Sequence, residues 1–454
     1  MPTKKIRPVK TNTSVDVLNA IRNSASQNYK NYIPIATDDA DSIRAIGNVM
    51  MDYTELQNEF ITALVNRIAK VIVTNKNYTN PLAMFKKGKL EFGETVEDIF
   101  IELAKPYEYD PEDAETTRNK RYIPDVKSAF YVLNYKKFYP DTIQQADLAR
   151  AFTSVEGVND FIARITDTMY SAVEYDEFMT MKYMLAVKIM NGQLYPITVP
   201  EITKDNALDI VVELNTIAGK MRFMSNDYNI AGVKTYSSTD DQYIISSVKA
   251  NAILGNTVFA YMYNQDEAKF KSHTVEVDSF GALDIERLNM LFAGDSNYHE
   301  FQPDELEALD KIPAIIVDRS FFQIYDNLMQ FGEDYVDKGL YWNWFLHAWR
   351  TFAVSPFANA AVLLPTGTAV TSVTVSPATA TVKAGNKTQL TATVDATIGT
   401  ALSVNWQSNT EGVTVSPTGI VTVGKDVSPE TVVTITATST ADGNKQGTAT
   451  ITVA

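Results

Sequence analysis

At Ala369 the chain changes character. Of its 48 aromatic residues, 47 fall in the first 369 positions, and the remaining 85 residues hold one, Trp406. Behind that break the sequence alternates β-branched residues with Thr or Ser, as in "SVTVSPATATV" and "VVTITATSTA". A side-chain period of two marks strands buried on one face only. Val373 and Val375 are expected to point inward, Thr374 and Ser376 outward. Ser376-Pro377, Gly385-Asn386, Pro417-Thr418-Gly419 and Asp442-Gly443-Asn444 punctuate the runs as turns. About seven strands in such a length predict an immunoglobulin-like sandwich. Trp406 would be its one large buried ring.

Charge separates the two parts as well. The formal charge is −15; only four lysines and five acids follow Ala369, so the tail carries −1 and the front −14. A chain this acidic is a poor general ligand for nucleic acid, although it can enclose nucleic acid without gripping it. With no cysteine at all, disulfides, zinc–thiolate sites and thiol nucleophiles are excluded. The basic start "MPTKKIRPVK" is followed by no apolar run of about 7–15 residues, so no signal peptide is expected. The longest apolar stretch, Ala358 to Leu364 with Asn359 inside it, is too short to cross a bilayer. No membrane partner is expected.

The front mixes helix and strand signals. Val17, Leu18 and Ile21 recur at helical spacing behind Asp16, and Leu56, Phe60, Leu64 and Ile68 do so behind Thr54 as N-cap. A polar ribbon follows over 75–128, in which Lys86-Lys87-Gly88-Lys89 reads as the tip of a hairpin or loop and "GETVEDIFIELA" as the returning strand. Phe161, Ile165, Met169, Ala172, Phe178, Met181 and Leu185 form one apolar stripe of a proline-free helix that Gly192 ends. At about 1.5 Å per residue such a helix is a spine roughly 50 Å long. Helices are expected in "DNALDIVVELNTIAGKMRFM" and "FGALDIERLNMLFAG". From Ile312 onward the sequence predicts a strand, a turn and a long aromatic strand pair.

Nothing in the chain resembles a catalytic centre. His273, His299 and His347 are widely spaced and fit no metal motif. The acidic run Glu108, Asp110, Glu112, Asp113, Glu115 lacks EF-hand spacing and reads as a solvated loop. There is no nucleophile elbow and no phosphate-binding glycine loop. No enzyme activity, cofactor or metal is expected. Interest falls instead on contacts between chains. Lys86, Lys87 and Lys89 beside Glu91, Glu94 and Glu97 make a ribbon too polar to bury alone, suited to pairing charges on a partner. Trp342, Trp344 and Trp349 are aromatic anchors for the core and for subunit packing.

Two resemblances give these parts names. "VTSVTVSPATATVKAGNKTQLTATV", "VNWQSNTEGVTVSPTGIVTVG" and "GTATITV" make the tail similar to the bacterial Ig-like group-2 module. The front's order of arm, charged loop, spine helix, mixed domain and returning aromatic strand resembles the Hong Kong 97-like capsid fold of tailed bacteriophages. Within it, "LNAIRNSASQNYKNYIPIAT", "NPLAMFKKGKLEFGETVEDIF" and "IYDNLMQFGEDYVDKGLYWNWFLHAWRTFAVSPFANA" look like major capsid proteins of the phi-29-like short-tailed phages.

The resemblance implies an α+β fold with an N-terminal arm over 1–50 and a capsid-fold domain over 51–363, followed by an all-β Ig-like sandwich over 370–454. Within the capsid fold it implies an extension loop (75–128) reaching a neighbour, a peripheral domain (155–200 and 319–363) and an axial domain (201–318). Residues 364–369 read as a linker between two self-sufficient cores, the Ig-like domain being an outward decoration. The function implied is a major capsid protein whose pentamers and hexamers form a shell around packaged double-stranded DNA, bound without sequence specificity. Implied partners are a scaffolding protein during assembly and a portal at one vertex. The implied location is the virion, after assembly in the host bacterial cytoplasm. Some capsids of this fold crosslink a loop lysine to an asparagine. Lys86, Lys87, Lys89 and Asn359 are the positions the layout offers, but so polar a lysine run argues for a non-covalent shell. A surface adhesin carrying an Ig-like module is the competing reading.

Overall fold

A computed structural model describes residues 14–71, 78–91, 95–107, 120–152, 155–255, 273–365 and 369–454. Two compact units emerge. The first combines 1–95, 132–178 and 324–352; the second combines 96–131, 179–323 and 353–454.

In the first unit, the helices Ser14–Ser24, Gln27–Tyr32, Ala40–Asp52 and Thr54–Val71 precede a four-stranded sheet. Ser26 and Asp39 cap the second and third of these, each side-chain oxygen accepting from a first-turn N–H. The sheet order is Lys86–Lys89, Phe322–Val336, Tyr341–Val354, Tyr135–Gln144. In the strand Tyr341–Val354, Trp342, Trp344, Leu346, Ala348 and Arg350 are buried on one face. Trp342 and Trp344 pack there with Leu18, Ile43, Ile46, Phe60 and Tyr170, and the Trp342 indole donates to Asn58 Oδ1 at 3.1 Å. The segment expected as an arm is thus, from Ser14 on, a set of helices sharing this core.

The second unit holds a five-stranded sheet in the order Tyr195–Thr198, Ala360–Leu364, Ala314–Asp318, Gln242–Ser247, Thr274–Val277. The helix Ala207–Lys220 lays Ile210, Leu214 and Ile217 on it, against Ile197, Ile244, Ile316 and Leu363. Beyond Ala369 lie nine strands, from Val370–Ser376 to Gln446–Val453, two more than expected. Val373 and Val375 point into a core of Val, Ile and Leu, while Thr374 and Ser376 are exposed. Trp406 lies at the edge of that core, partly buried.

The spine helix is Val155–Met190, 36 residues. Gly192 follows it at φ +59°, a left-handed turn that glycine makes without strain. Of the expected stripe, Met169, Phe178, Met181 and Leu185 are buried; the side chains of Phe161 and Ile165 lie outside the described residues. Burial is not confined to one stripe. Glu174, Asp176, Glu177, Thr180 and Lys182 are buried too.

Those carboxylates organise the first unit. The Glu177 side chain has no exposed surface; its Oε2 accepts from Arg350 at 2.8 Å and from the Lys86 ammonium at 2.9 Å. Its Oε1 accepts from the Asn80 amide at 2.7 Å. Asp326 bridges the same two cations, at 2.9 Å from Arg350 Nε and 2.8 Å from Lys86 Nζ. Asp176 takes a hydrogen bond from Tyr139, which is itself paired with Tyr135. The cluster therefore joins the helix to all four strands of the sheet. Each ionised group spends its hydrogen-bonding capacity on a partner, as a buried charge must.

Electrostatics follow from this packing. Burial alone would raise the Asp326 pKa, but Arg350 and Lys86 outweigh it and hold the carboxyl below its usual range. Burial would lower Arg350, yet Glu177 and Asp326 more than offset that. Burial likewise drives the Tyr139 hydroxyl upward, with the neighbouring Tyr135 and Asp176 adding to it.

Replacing Arg350 by Leu leaves Glu177 buried without its main counter-charge. Chemical denaturation of the unassembled subunit is expected to show a loss of about 3–5 kcal/mol; a loss within error of zero would show the cluster to be energetically idle. Because the folded-state pKa of Asp326 lies below the unfolded value, its stabilisation is present at neutral pH and is lost as pH falls below about 4. Asp326→Asn is expected to lower stability at pH 7 and to flatten the acid limb of the stability–pH curve.

Candidate functional site

The surfaces that stand out are faces, not clefts. The strands Val96–Ile101 and Val126–Tyr131 pair antiparallel, with Ile99 opposite Ser128 and Ile101 opposite Val126. Directly opposed residues share a face. The inner face is tied into the second unit. Phe100 stacks on Phe357 with centroids 5.7 Å apart. Asp98 accepts from Tyr131 at 2.7 Å and from Ser355 at 2.6 Å. Lys127 reaches the Ala231 carbonyl and Glu102.

Among the described residues the outer face has no such cover. It carries Ile99, Ile101, Val126 and Phe130, all at least half exposed, with Ile101 at 62% and Phe130 at 63%. Leu103 continues the row, and Glu97 stands at its other end, opposite Phe130. A contiguous apolar face of this kind marks an interaction surface. Covering it would return roughly 1 kcal/mol for each side chain already half buried.

A second face lies on the four-stranded sheet of the first unit, opposite its tryptophan core. Tyr341–Val354 pairs with Tyr135–Gln144 so that Phe345, His347 and Trp349 face Pro140, Phe138 and Lys136. Phe138 packs edge-on against Phe345 at 5.9 Å and is 57% exposed. The Lys136 ammonium sits 5.4 Å over the Trp349 ring, a cation–π contact at the end of the ladder.

Several expectations change here. Lys86–Lys89 is not a hairpin tip but an edge strand, parallel to Phe322–Val336 with Lys86 opposite Ile324. The reason is electrostatic, since the Lys86 ammonium is held by Glu177 and Asp326 of its own chain. Lys87, Lys89, Glu91 and Glu97 are exposed, while Glu94 and the acidic run from Glu108 to Glu115 lie outside the described residues. Trp342 and Trp344 face inward and are 2% and 1% exposed, within the core of their own chain. Trp349 faces outward. Asn359 is buried, its amide donating to Ser237 at 3.2 Å and accepting from Asn229 at 3.4 Å. The sequence reading missed Ile99, Ile101, Phe130, Phe138 and Phe345. The signal was available: "VEDIFI" is apolar in both strand registers, so one set of side chains must face outward.

Comparison with known proteins identifies the fold. The Phi29-like phage major capsid protein family matches residues 18–364, and the bacterial Ig-like domain (group 2) matches residues 369–427. A major capsid protein of Bacillus phage B103 is 35% identical over 419 residues, 90% of this chain and 87% of that one. The major capsid protein of Bacillus phage PZA is 32% identical over 417 residues with the same coverage. Among solved structures, the capsid of Staphylococcus phage Andhra shares the fold with a TM-score of 0.51, at 16% identity, covering 64% of this chain and 86% of that one. Matched over most of its length, the chain belongs to the phi29-like phage major capsid protein family, structural virion proteins that assemble with copies of themselves, and it bears an Ig-like group 2 domain after the capsid fold.

Proposed function

We propose that this major capsid protein closes its capsomers by laying the outer face of the hairpin 96–131 on the aromatic ladder of the next copy. The observation that carries this reading is the hairpin itself: one face is bonded into its own chain and the other is apolar and uncovered. The two faces are complementary. Each is a two-stranded apolar surface, with Glu97 at one end of the first and Lys136 at one end of the second. They are different patches, so the contact is heterologous and repeats around a ring until it closes, as pentamers and hexamers require. Lys87, Lys89, Glu91 and Glu97 are candidate ion pairs at its rim.

The same reading makes 201–318 the axial domain, 155–200 with 319–363 the peripheral domain, and 75–128 the extension loop. It makes scaffolding protein and portal the partners of assembly in the host cytoplasm. Double-stranded DNA is then contained, not gripped, in keeping with the front's −14 charge. The role is structural, without catalysis. The buried acids of the first unit are engaged in ion pairs and hydrogen bonds.

Changing Ile101 and Phe130 together to Lys is expected to leave the circular dichroism and unfolding midpoint of the subunit nearly unchanged, because both side chains are exposed, and to abolish shells. Electron microscopy of the protein co-expressed with its scaffold reads the result; shells at parental yield would refute the hairpin contact. The shell is also expected to be non-covalent, because Asn359 is buried in its own chain. Mature capsids boiled in detergent should run as one band near 50.5 kDa, and a ladder of multiples would contradict this.

A further inference from the structure

The Ig-like domain follows a short stretch of sequence, "LLPTGTAV", that suggests a loose tether. The residues near its two ends do not behave as tether ends. Leu364 belongs to the strand Ala360–Leu364, which pairs parallel with Tyr195–Thr198 and antiparallel with Ala314–Asp318, and it is 1% exposed. On the far side, Ala369 is stapled to a turn of the Ig-like domain. Its N–H donates to the Thr397 hydroxyl at 2.8 Å, and the Thr397 N–H returns a bond to the Ala369 carbonyl at 2.9 Å. The turn closes with Thr400 N–H on the Thr397 carbonyl at 3.1 Å.

That turn is packed where a free domain would present it to water. Thr400 is 1% exposed, and Gly399 is buried beside it. Two glycines make the fit possible. A Cβ on Gly192, just past the end of the spine helix, would overlap the Thr400 carbonyl; a Cβ on Gly399 would overlap the Leu364 side chain. Both glycines have positive φ, +59° and +79°, so each position combines a left-handed backbone with an approach that only a hydrogen side chain permits. Next to this seam a cleft of about 470 Å³ opens between Asn191, Gln193 and Asp227 on one side and Ser403 on the other. The close packing is thus concentrated in the two glycine contacts.

We infer that the Ig-like domain is seated on its own capsid-fold chain, through a socket made by Gly192 and Leu364 that receives the turn Thr397–Thr400. Its orientation is set by that seat and not by the linker. A decoration on a swinging tether would sweep many orientations; a seated one presents the same face on every subunit.

The absence of cysteine from the chain allows a direct test. Spin labels on Asp205→Cys and Asn444→Cys, both exposed positions, report the distance between the two parts in the otherwise unaltered full chain. A single narrow distance distribution is expected. Adding Thr400→Trp, which cannot enter the socket, should spread it into the broad distribution of a flexible linker, while amide exchange in the strand Val432–Ser439 stays slow. A broad distribution in the parent double-labelled chain would overturn the inference. So would a distribution that stays narrow with Thr400→Trp in place, since something other than this seam would then be holding the domain.

Discussion

A single carboxylate, that of Glu177, sets the terms for the first unit. It is taken wholly out of water and must be answered by charge. Arg350 answers from the central aromatic strand, Lys86 from the edge strand, and Asn80 from the segment leading into that strand. Asp326 then balances the two cations from the strand between them. Hydrophobic packing of Trp342 and Trp344 tolerates small shifts, whereas a buried ion network accepts only a narrow set of geometries. The network therefore fixes the register of the sheet against the spine helix.

How much of this was readable before the structure depended on periodicity. The spine helix was legible because it lacks proline over its whole length and keeps an apolar repeat, and the Ig-like strands because Val and Thr alternate so strictly. Both signals are local. The ion cluster was not legible because its members are far apart in sequence, and each looks ordinary where it stands. Nothing local marks Glu174, Asp176 and Glu177 for burial, and "KKGK" reads as a loop tip, until the fold brings them together. Tertiary pairing overrode local polarity at that point. The aromatic strand shows the same limit in milder form. Its alternation was visible, but which of Trp344 and Trp349 faces inward depends on the helices packed against one side of the sheet.

On the proposed contact, the two faces and the buried network divide the labour of a shell subunit. Buried polar groups of the first unit are spent on fixing its own geometry, while the outer hairpin face leaves Ile99, Ile101, Val126 and Phe130 exposed and the aromatic ladder leaves Phe138 exposed. In that proposed contact, association draws on surfaces that the chain's own folding leaves exposed.

The position of the strand Ala360–Leu364 has a mechanical consequence. It is the last strand before the Ig-like domain, and it lies inside the five-stranded sheet, bonded on both edges. Force drawn along the chain from that domain would load those hydrogen bonds together, in shear, instead of peeling them one at a time. Whatever pulls on the domain, the strain arrives in the part of the sheet best arranged to resist it.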